Sequence, residues 1–119
     1  MKYSETTAVP KLFIGMDVHK KSWTVHFKTD LFDNKTVTMP AEPSVLISYV
    51  ENNFAGHEVS CCYEAGCCGY WIARSLLEKG WQVKVVNPGD VPRINKQDWQ
   101  KTDKIDSRNL CKHLSDGNL

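Results

Sequence analysis

The chain has 119 residues, of which 41% are hydrophobic and 24% charged, and this suits one domain with an ordinary core. The formal net charge is +1, so the chain lacks the overall basicity of a typical nucleic-acid-binding domain. No apolar run reaches the roughly 18 residues of a membrane span, and the stretch MKYSETTAVPK lacks the apolar region of a secretory signal, so a cytoplasmic protein without membrane association is expected. Residues 1–10 are expected to be a flexible lead-in to one domain over 11–119.

The first part of the chain predicts three strands. Leu12–Val18 is a nearly continuous apolar run with one acid, as in a strand buried on both faces. Trp23–Phe27 alternates and is rich in β-formers, so the two runs predict a hairpin with a lysine pair at its turn. A third strand is expected over Asp33–Met39, after an Asp-Asn turn.

The first helix is expected after Pro43, with Ser44 as its N-cap. Apolar residues then recur at helical spacing and predict one buried face. That face comprises Val45, Leu46, Tyr49, Val50 and Phe54. Gly56 is expected to end the segment.

Strands and helices then alternate. Glu58–Glu64 predicts a short strand, a glycine turn at 66–69 opens a second helix, and Gly80 is its C′ glycine. Trp81–Asn87 predicts a fifth strand, and the last helix is expected over about 102–113. The order β-β-β-α-β-α-β-α predicts an α/β fold with a mixed sheet and helices on both faces.

In such a fold, four acidic residues could lie close together at one edge of the sheet. Asp17 lies near the end of the first strand and Glu64 closes the fourth. If these strands are parallel neighbours, both carboxylates end side by side at the sheet edge where sites form. Asp103 and Asp106 stand three residues apart, on one face of the start of the last helix. That helix start could direct both toward the same point.

Converging carboxylates repel one another strongly unless a cation is bound. Mg²⁺ and Mn²⁺ are the natural partners, and two such ions about 4 Å apart clamp the reacting oxygens of a phosphodiester. An ordinary interpretation remains open, with Asp103 as an N-cap, Asp106 as a favourable first-turn charge and Glu64 as an exposed strand end. Asp17 is harder to explain in that way, because a lone carboxylate in an apolar strand is costly.

Several motifs together resemble a known family. The chain carries GMDVHKKSWTV, CYEAGCCGYWIARSLLEKGWQVKVVNP, VPR and KTDKIDSRNLCKHL, similar to the N-terminal domain of DEDD-type insertion-sequence transposases. This is the insertion-sequence 110 family, which includes the Piv invertases, and the resemblance covers residues 12–119. It implies a RuvC-like fold of the ribonuclease-H superfamily. It also implies a catalytic tetrad of Asp17, Glu64, Asp103 and Asp106 that binds Mg²⁺ (or Mn²⁺) for DNA strand cleavage and exchange.

The resemblance also implies partners. These are DNA, a structured guide (bridge) RNA in some members, and further copies of the full-length protein, in a bacterial or archaeal cytoplasm. Relatives continue into a second domain with a serine nucleophile that no serine here matches, so the chain is expected to retain the metal site without completing recombination. The alternative is an inert module of the same fold that binds nucleic acid or dimerises. An actin-like kinase is disfavoured, because HKKS lacks a glycine-rich phosphate loop.

Basic residues flank the acids in sequence. Lys101, Arg108, Lys20 and Lys104 are the candidate contacts to nucleic-acid phosphates, and a solvated charged surface is the alternative. His19 follows the first acid by two residues and is a candidate ligand or proton shuttle.

The tryptophans and cysteines have simpler interpretations. Trp23, Trp71 and Trp81 are expected in the core, whereas Trp99 is a candidate nucleic-acid or partner contact. The cluster CCYEAGCC suggests zinc, but a second ligand pair is missing unless His57 or Cys111 contributes, and adjacent strand cysteines point to opposite faces. Buried reduced thiols are the preferred interpretation.

Overall fold

The computed structural model describes residues 9–29, 35–64, 70–86 and 107–117. Within these ranges the chain forms five strands and three helices. They are β1 (Lys11–Val18), β2 (Ser22–Thr29), β3 (Lys35–Pro40), α1 (Pro43–Asn53), β4 (Glu58–Glu64), α2 (Trp71–Glu78), β5 (Gln82–Val86) and α3 (Ser107–Ser115). None of the helices in these ranges has both the length and the apolar character needed to cross a membrane.

The strands form one mixed sheet in the order β3-β2-β1-β4-β5. The first three strands are an antiparallel meander, whereas β4 pairs with β1 in parallel and β5 pairs with β4 in parallel. Parallel pairing needs a crossover connection, and α1 lies in the connection between β3 and β4. The α/β class is confirmed, and the condition stated for Asp17 and Glu64, that the first and fourth strands are parallel neighbours, is met.

The position of a strand in the sheet does not follow its position in the chain. β4 joins the sheet beside β1 rather than beside β3, so β1 becomes the central strand. Residues 87–106 lie outside the described ranges, so the predicted order of elements between β5 and the last helix, and that helix's start near Thr102, stay predictions. The turns expected at 33–34 and 66–69 also lie outside those ranges.

One face of the sheet packs against α1 and α2. Leu12, Ile14 and Met16 alternate along β1 and are fully buried on this face. The same core takes Leu46 and Val50 from α1, and from α2 it takes Ile72, Ala73 and Leu76.

The other face is covered by α3. Leu110 on this helix packs with Cys62 and Val86 of the sheet, and Leu114 lies beside them. The helix also lies directly on Gly15 of β1. Helices therefore cover both faces of the sheet.

The predicted N-cap of α1 is wrong. The helix begins one residue before Ser44, at Pro43, and Glu42 is its N-cap. Proline is favoured in the first helical turn because its missing N–H has no partner there in any case. The predicted apolar face is confirmed, with Leu46 and Val50 buried and the remaining three residues packed against the core.

The prediction that three tryptophans lie in the core holds for two of them. Trp23 and Trp81 are buried, but Trp71 is 42% exposed. α2 turns Ile72 and Leu76 to the sheet, so Trp71 lies at the rim of the core, with its ring 6.3 Å from that of Trp23. Trp99 lies outside the described residues.

Candidate functional site

Asp17 and Glu64 follow a pair of residues that face each other across the parallel strands. Met16 of β1 is the register partner of Tyr63 of β4, and each acid is the next residue on its strand. Met16 and Tyr63 are fully buried in the core with α1 and α2, so the strand alternation assigns the two acids to the opposite face. Both acids stand at the carboxyl ends of their strands, where sites form in open α/β sheets.

Neighbouring strands confirm that assignment. The register partner of Glu64 on β5 is Val86, which packs with Leu110 under α3. Asp17 is paired with Thr24 across the antiparallel hairpin. The two acids thus occupy positions on the face of the sheet that α3 covers, and their joint role in a site stays a prediction.

The first turn of α3 lies on this face, against Gly15, which is two residues before Asp17 on β1. A Cβ atom on Gly15 would overlap the carbonyl oxygen of Ser107 and the amide nitrogen of Cys111, and it would lie 2.9 Å from the Cα atom of Cys111. A glycine is therefore required where the helix backbone touches the strand. Because Ser107 directly follows Asp106 in the sequence, the chain enters α3 against the strand that carries Asp17.

Two thiol hydrogen bonds attach α3 to the strands of the site. The Sγ atom of Cys111 donates to the carbonyl oxygen of Phe13 on β1 at 3.2 Å. The Sγ atom of Cys62 on β4 donates to the carbonyl oxygen of Leu110 on α3 at 3.6 Å. These contacts help to fix the helix over both acid-bearing strands.

His19 lies against the first acid. Its Nε2 atom is 3.3 Å from the Oδ1 atom of Asp17, and the two side chains are 47% and 18% exposed. The backbone N–H of His19 donates to the carbonyl oxygen of Ser22 at 3.1 Å, which closes the hairpin turn over Lys20 and Lys21. The imidazole is therefore placed on Asp17 by a tight turn whose backbone is hydrogen-bonded.

The donor set suits a hard divalent cation, because carboxylate oxygens are the ligands such ions prefer. Among the described residues, no group of three or more His, Cys, Asp or Glu side chains is close enough to hold a metal ion. The described ranges contain two of the four predicted ligands, Asp17 and Glu64. Asp103 and Asp106 lie outside these ranges, so their convergence with the other two stays a prediction.

Two of the four basic candidates fall within the described residues. Lys20 is exposed at the β1–β2 turn, and Arg108 is exposed on the first turn of α3. Lys20 thus follows the strand that carries Asp17, and Arg108 lies on the helix that covers the same face of the sheet. Lys101 and Lys104 lie outside the described residues.

The cysteines that the structure describes are buried thiols, as expected. Cys61 and Cys62 occupy opposite faces of β4 and belong to different clusters with their neighbours. Burial, and then the adjacent thiol of Cys111, raise the pKa of Cys62 to about 12, against a smaller opposing effect of Lys84. Burial also raises the pKa of Cys61. Because the two thiols lie on opposite faces of the strand, they cannot ligate one zinc ion together.

Sequence reasoning missed the structural role of Gly15. The signal was present, because a glycine inside an apolar strand marks a bulge or a close approach of another backbone. Only the packing of α3 shows which of the two applies, and that the approaching backbone is that of Ser107 and Cys111.

No profile of a known protein family matches the chain. The chain is similar to the transposase for insertion sequence element IS1533 of Leptospira borgpetersenii, with 32% identity over 107 residues, which is 86% of this chain and 30% of that protein. It is also similar to the putative transposase y4rJ of Sinorhizobium fredii, with 41% identity over 51 residues, which is 43% of this chain and 13% of that protein. The chain thus spans less than a third of the length of these relatives. The two similarities support an insertion-sequence transposase family.

Proposed function

We propose that the chain is the metal-binding domain of a RuvC-like, DEDD-type transposase of the insertion-sequence 110 family. In this proposal Asp17, Glu64, Asp103 and Asp106 hold Mg²⁺ or Mn²⁺ for the cleavage and exchange of DNA strands. One observation carries it, namely the parallel pairing of β1 and β4 that brings Asp17 and Glu64 to neighbouring register positions on the face covered by α3. The similarity to two transposases supports the reaction class.

The arrangement of the sheet supports the proposed fold. An antiparallel meander continues into parallel strands at β1, and this mixed sheet is compatible with the ribonuclease-H-like fold that the sequence resemblance implies. Helices cover both faces, and the close contact of α3 with Gly15 brings the residue after Asp106 to the acidic end of β1. This contact supports a site that includes Asp106.

The negative charges of the proposed ligands would hold divalent cations at the scissile phosphate. Bound divalent cations would polarise the scissile phosphate and stabilise charge on the attacking and leaving oxygens. Asp17 and Glu64 would hold and orient these ions from two adjacent strands. Without a cation the same carboxylates would repel one another. The metal-free protein is therefore expected to be less stable than the metal-bound protein.

The proposed substrate is DNA, held through its phosphates by exposed basic residues around the acids. The exposure of Lys20 on the hairpin turn and of Arg108 on α3 supports this role for both residues. Lys101 and Lys104 are proposed on sequence grounds. A guide RNA and homo-oligomerisation remain predictions of the family resemblance.

Metal titration followed by thermal unfolding tests the proposal. Wild type should show a saturable rise in Tm with Mg²⁺ or Mn²⁺, since a ligand at 100 times its Kd stabilises a protein by about 2.7 kcal/mol. Asp17→Asn and Glu64→Gln should abolish the rise. Glu58→Gln is the matched control, because Glu58 is an exposed glutamate at the opposite end of the strand that carries Glu64.

Metal-free samples provide a second measurement. Asp17→Asn should then leave the Tm unchanged or raise it, because one of two neighbouring negative charges is removed. The proposal fails if folded wild type gives no saturable response, or if Glu58→Gln abolishes the response as fully as Glu64→Gln does. A wild type that binds DNA without responding to metal would favour the inert module of the same fold.

A further inference from the structure

We propose that Tyr70 and Trp71 form an aromatic platform on which an unpaired DNA base stacks, beside the acidic end of the sheet. The proposal deepens the proposed function and rests on it for the identity of DNA as the substrate. Its first observation is exposure, because Tyr70 is 61% and Trp71 42% exposed. Aromatic side chains of this size usually bury most of their surface in a core or an interface.

The fold brings this pair to the edge of the sheet where β4 ends. β4 ends at Glu64, and α2 then leads back to β5, which is parallel to β4, so the first turn of α2 lies at the carboxyl end of β4. In that turn the backbone N–H of Ala73 donates to the hydroxyl oxygen of Tyr63 at 3.2 Å. Tyr63 directly precedes Glu64 on the strand. The start of the helix that carries the platform is therefore attached to the neighbour of a proposed metal ligand.

The core supports the Trp71 ring from one side. Its centroid is 6.3 Å from that of the Trp23 ring, a distance within the usual range for aromatic pairs. Trp23 is fully buried, so this contact lies on the inner side of Trp71 and the remainder of the ring meets solvent. A ring that is already restrained loses little conformational freedom when a ligand stacks on it.

Exposed lysines lie next to the platform. Lys20 and Lys21 are exposed on the turn between β1 and β2, and Trp23 is the second residue of β2. The contact of the two tryptophan rings therefore brings Trp71 close to this turn. The first turn of α2 contains no acidic residue that would repel a phosphate. Aromatic rings beside positive charges are the combination that binds the bases and the backbone of a single strand.

An unpaired base suits these rings better than a duplex does. Inside a duplex each base is covered by its neighbours, so an aromatic side chain stacks on bases that have left the stack. Exchange of strands between two duplexes opens base pairs at the point of exchange, which in the proposed function lies at the metal site. A platform at the same edge of the sheet would hold a base that is unstacked there.

Fluorescence anisotropy with the whole chain tests the proposal, with a labelled oligothymidylate and an abasic strand of equal length as probes. The two strands carry the same phosphates, and only the first has bases that can stack. Wild type should bind the oligothymidylate more tightly. Tyr70→Ala and Trp71→Ala should each weaken this binding about tenfold, as expected for the loss of one base–aromatic contact, and leave binding of the abasic strand near that of wild type. Leu77→Ala is the control, because Leu77 is an apolar residue of the same helix that is 52% exposed, and it should change neither affinity.

Two further variants separate an aromatic ring from apolar volume. Trp71→Phe retains a ring face and should keep most of the preference for the oligothymidylate, whereas Trp71→Leu should lose it. Binding of the abasic strand shows that each variant is folded. If the Trp71 variants do not fold, Tyr70→Ala and Tyr70→Phe give the same comparison, because Tyr70 is the more exposed of the two residues and its replacement should cost little stability.

The outcomes distinguish this proposal from the proposed metal site. Equal affinity of wild type for the two strands, or equal binding of the oligothymidylate by Trp71→Leu and Trp71→Phe, overturns the platform and leaves the metal site standing. A wild type that dimerises in size-exclusion chromatography, loses the dimer in Trp71→Ala and shows no preference for the oligothymidylate assigns this surface to a second copy of the chain and also overturns the platform. A preference for the oligothymidylate that depends on Tyr70 and Trp71, in a wild type without a metal response, supports the platform while the metal site fails.

Discussion

The backbone of Ser107 lies directly against Gly15, two residues before Asp17 on the same face of β1. No side chain fits between the helix and the strand at this point. The contact joins two segments that are far apart in the chain, and it determines how α3 approaches the proposed site.

Gly15→Ala should destabilise the protein by about 1–3 kcal/mol, because the new Cβ would overlap backbone atoms of Ser107 and Cys111 that cannot yield without moving the helix. Urea unfolding measures the change. Ser48→Ala, on the exposed side of α1, is the control and should stay within about 0.5 kcal/mol of wild type. A Gly15→Ala variant as stable as this control would contradict the close approach of α3.

Leu110→Ala should lower the free energy of unfolding by about 2–5 kcal/mol, because this fully buried side chain attaches α3 to Cys62 and Val86. Leu77→Ala is the matched control, since Leu77 is 52% exposed on α2. Denaturant unfolding should show a change within about 0.5 kcal/mol for the control. Equal losses in the two variants would mean that α3 does not bury Leu110 as described.

The buried Cys62 thiol predicts a loss of stability at alkaline pH. Its pKa is raised from 9.0 to about 12 in the folded protein, chiefly by burial and then by the neighbouring Cys111. Above pH 9 the unfolded chain releases this proton while the folded chain retains it, so the stabilisation present below pH 9 declines as pH rises toward 12. The buried Cys61 acts in the same direction.

Urea unfolding from pH 8 to 10.5 measures this linkage. One such thiol contributes a slope of up to about 1.4 kcal/mol per pH unit, so Cys62→Ala should show a shallower decline than wild type over the same interval. Comparing slopes removes the contribution of lysines and tyrosines common to both proteins. Identical slopes would show that Cys62 titrates normally in the folded state.

Arg108→Ala should weaken DNA binding similarly across sequences and reduce the dependence of log K on log salt by about one unit, as expected when one phosphate contact is lost. Fluorescence anisotropy with labelled duplexes at several salt concentrations measures both quantities. Arg74→Ala is the matched control, because Arg74 is exposed on α2, on the opposite face of the sheet from α3. Equal effects of the two substitutions would remove Arg108 from the proposed DNA contact.

The sequence alone determined the local elements, because their signals repeat within a few residues. Alternation along β1 and β2, the apolar spacing of α1 and the position of Gly80 each depend on neighbours in the chain. Local reasoning failed where two local rules competed or where burial was marginal. At the start of α1 the preference for Pro43 in the first turn outweighed the capping ability of Ser44, and on α2 Trp71 lies at the rim of the core.

The meeting of residues that are distant in the sequence follows from the packing of the helices on the sheet. From the sequence, Asp17 and Glu64 would be neighbours only if their strands were parallel and adjacent. The sheet order meets this condition. The contact of Ser107 with Gly15 and the packing of Leu110 on Cys62 join segments separated by tens of residues. Such contacts depend on how the faces of helices and strands fit together in space, and periodicity along one segment carries no information about which other segment will cover it.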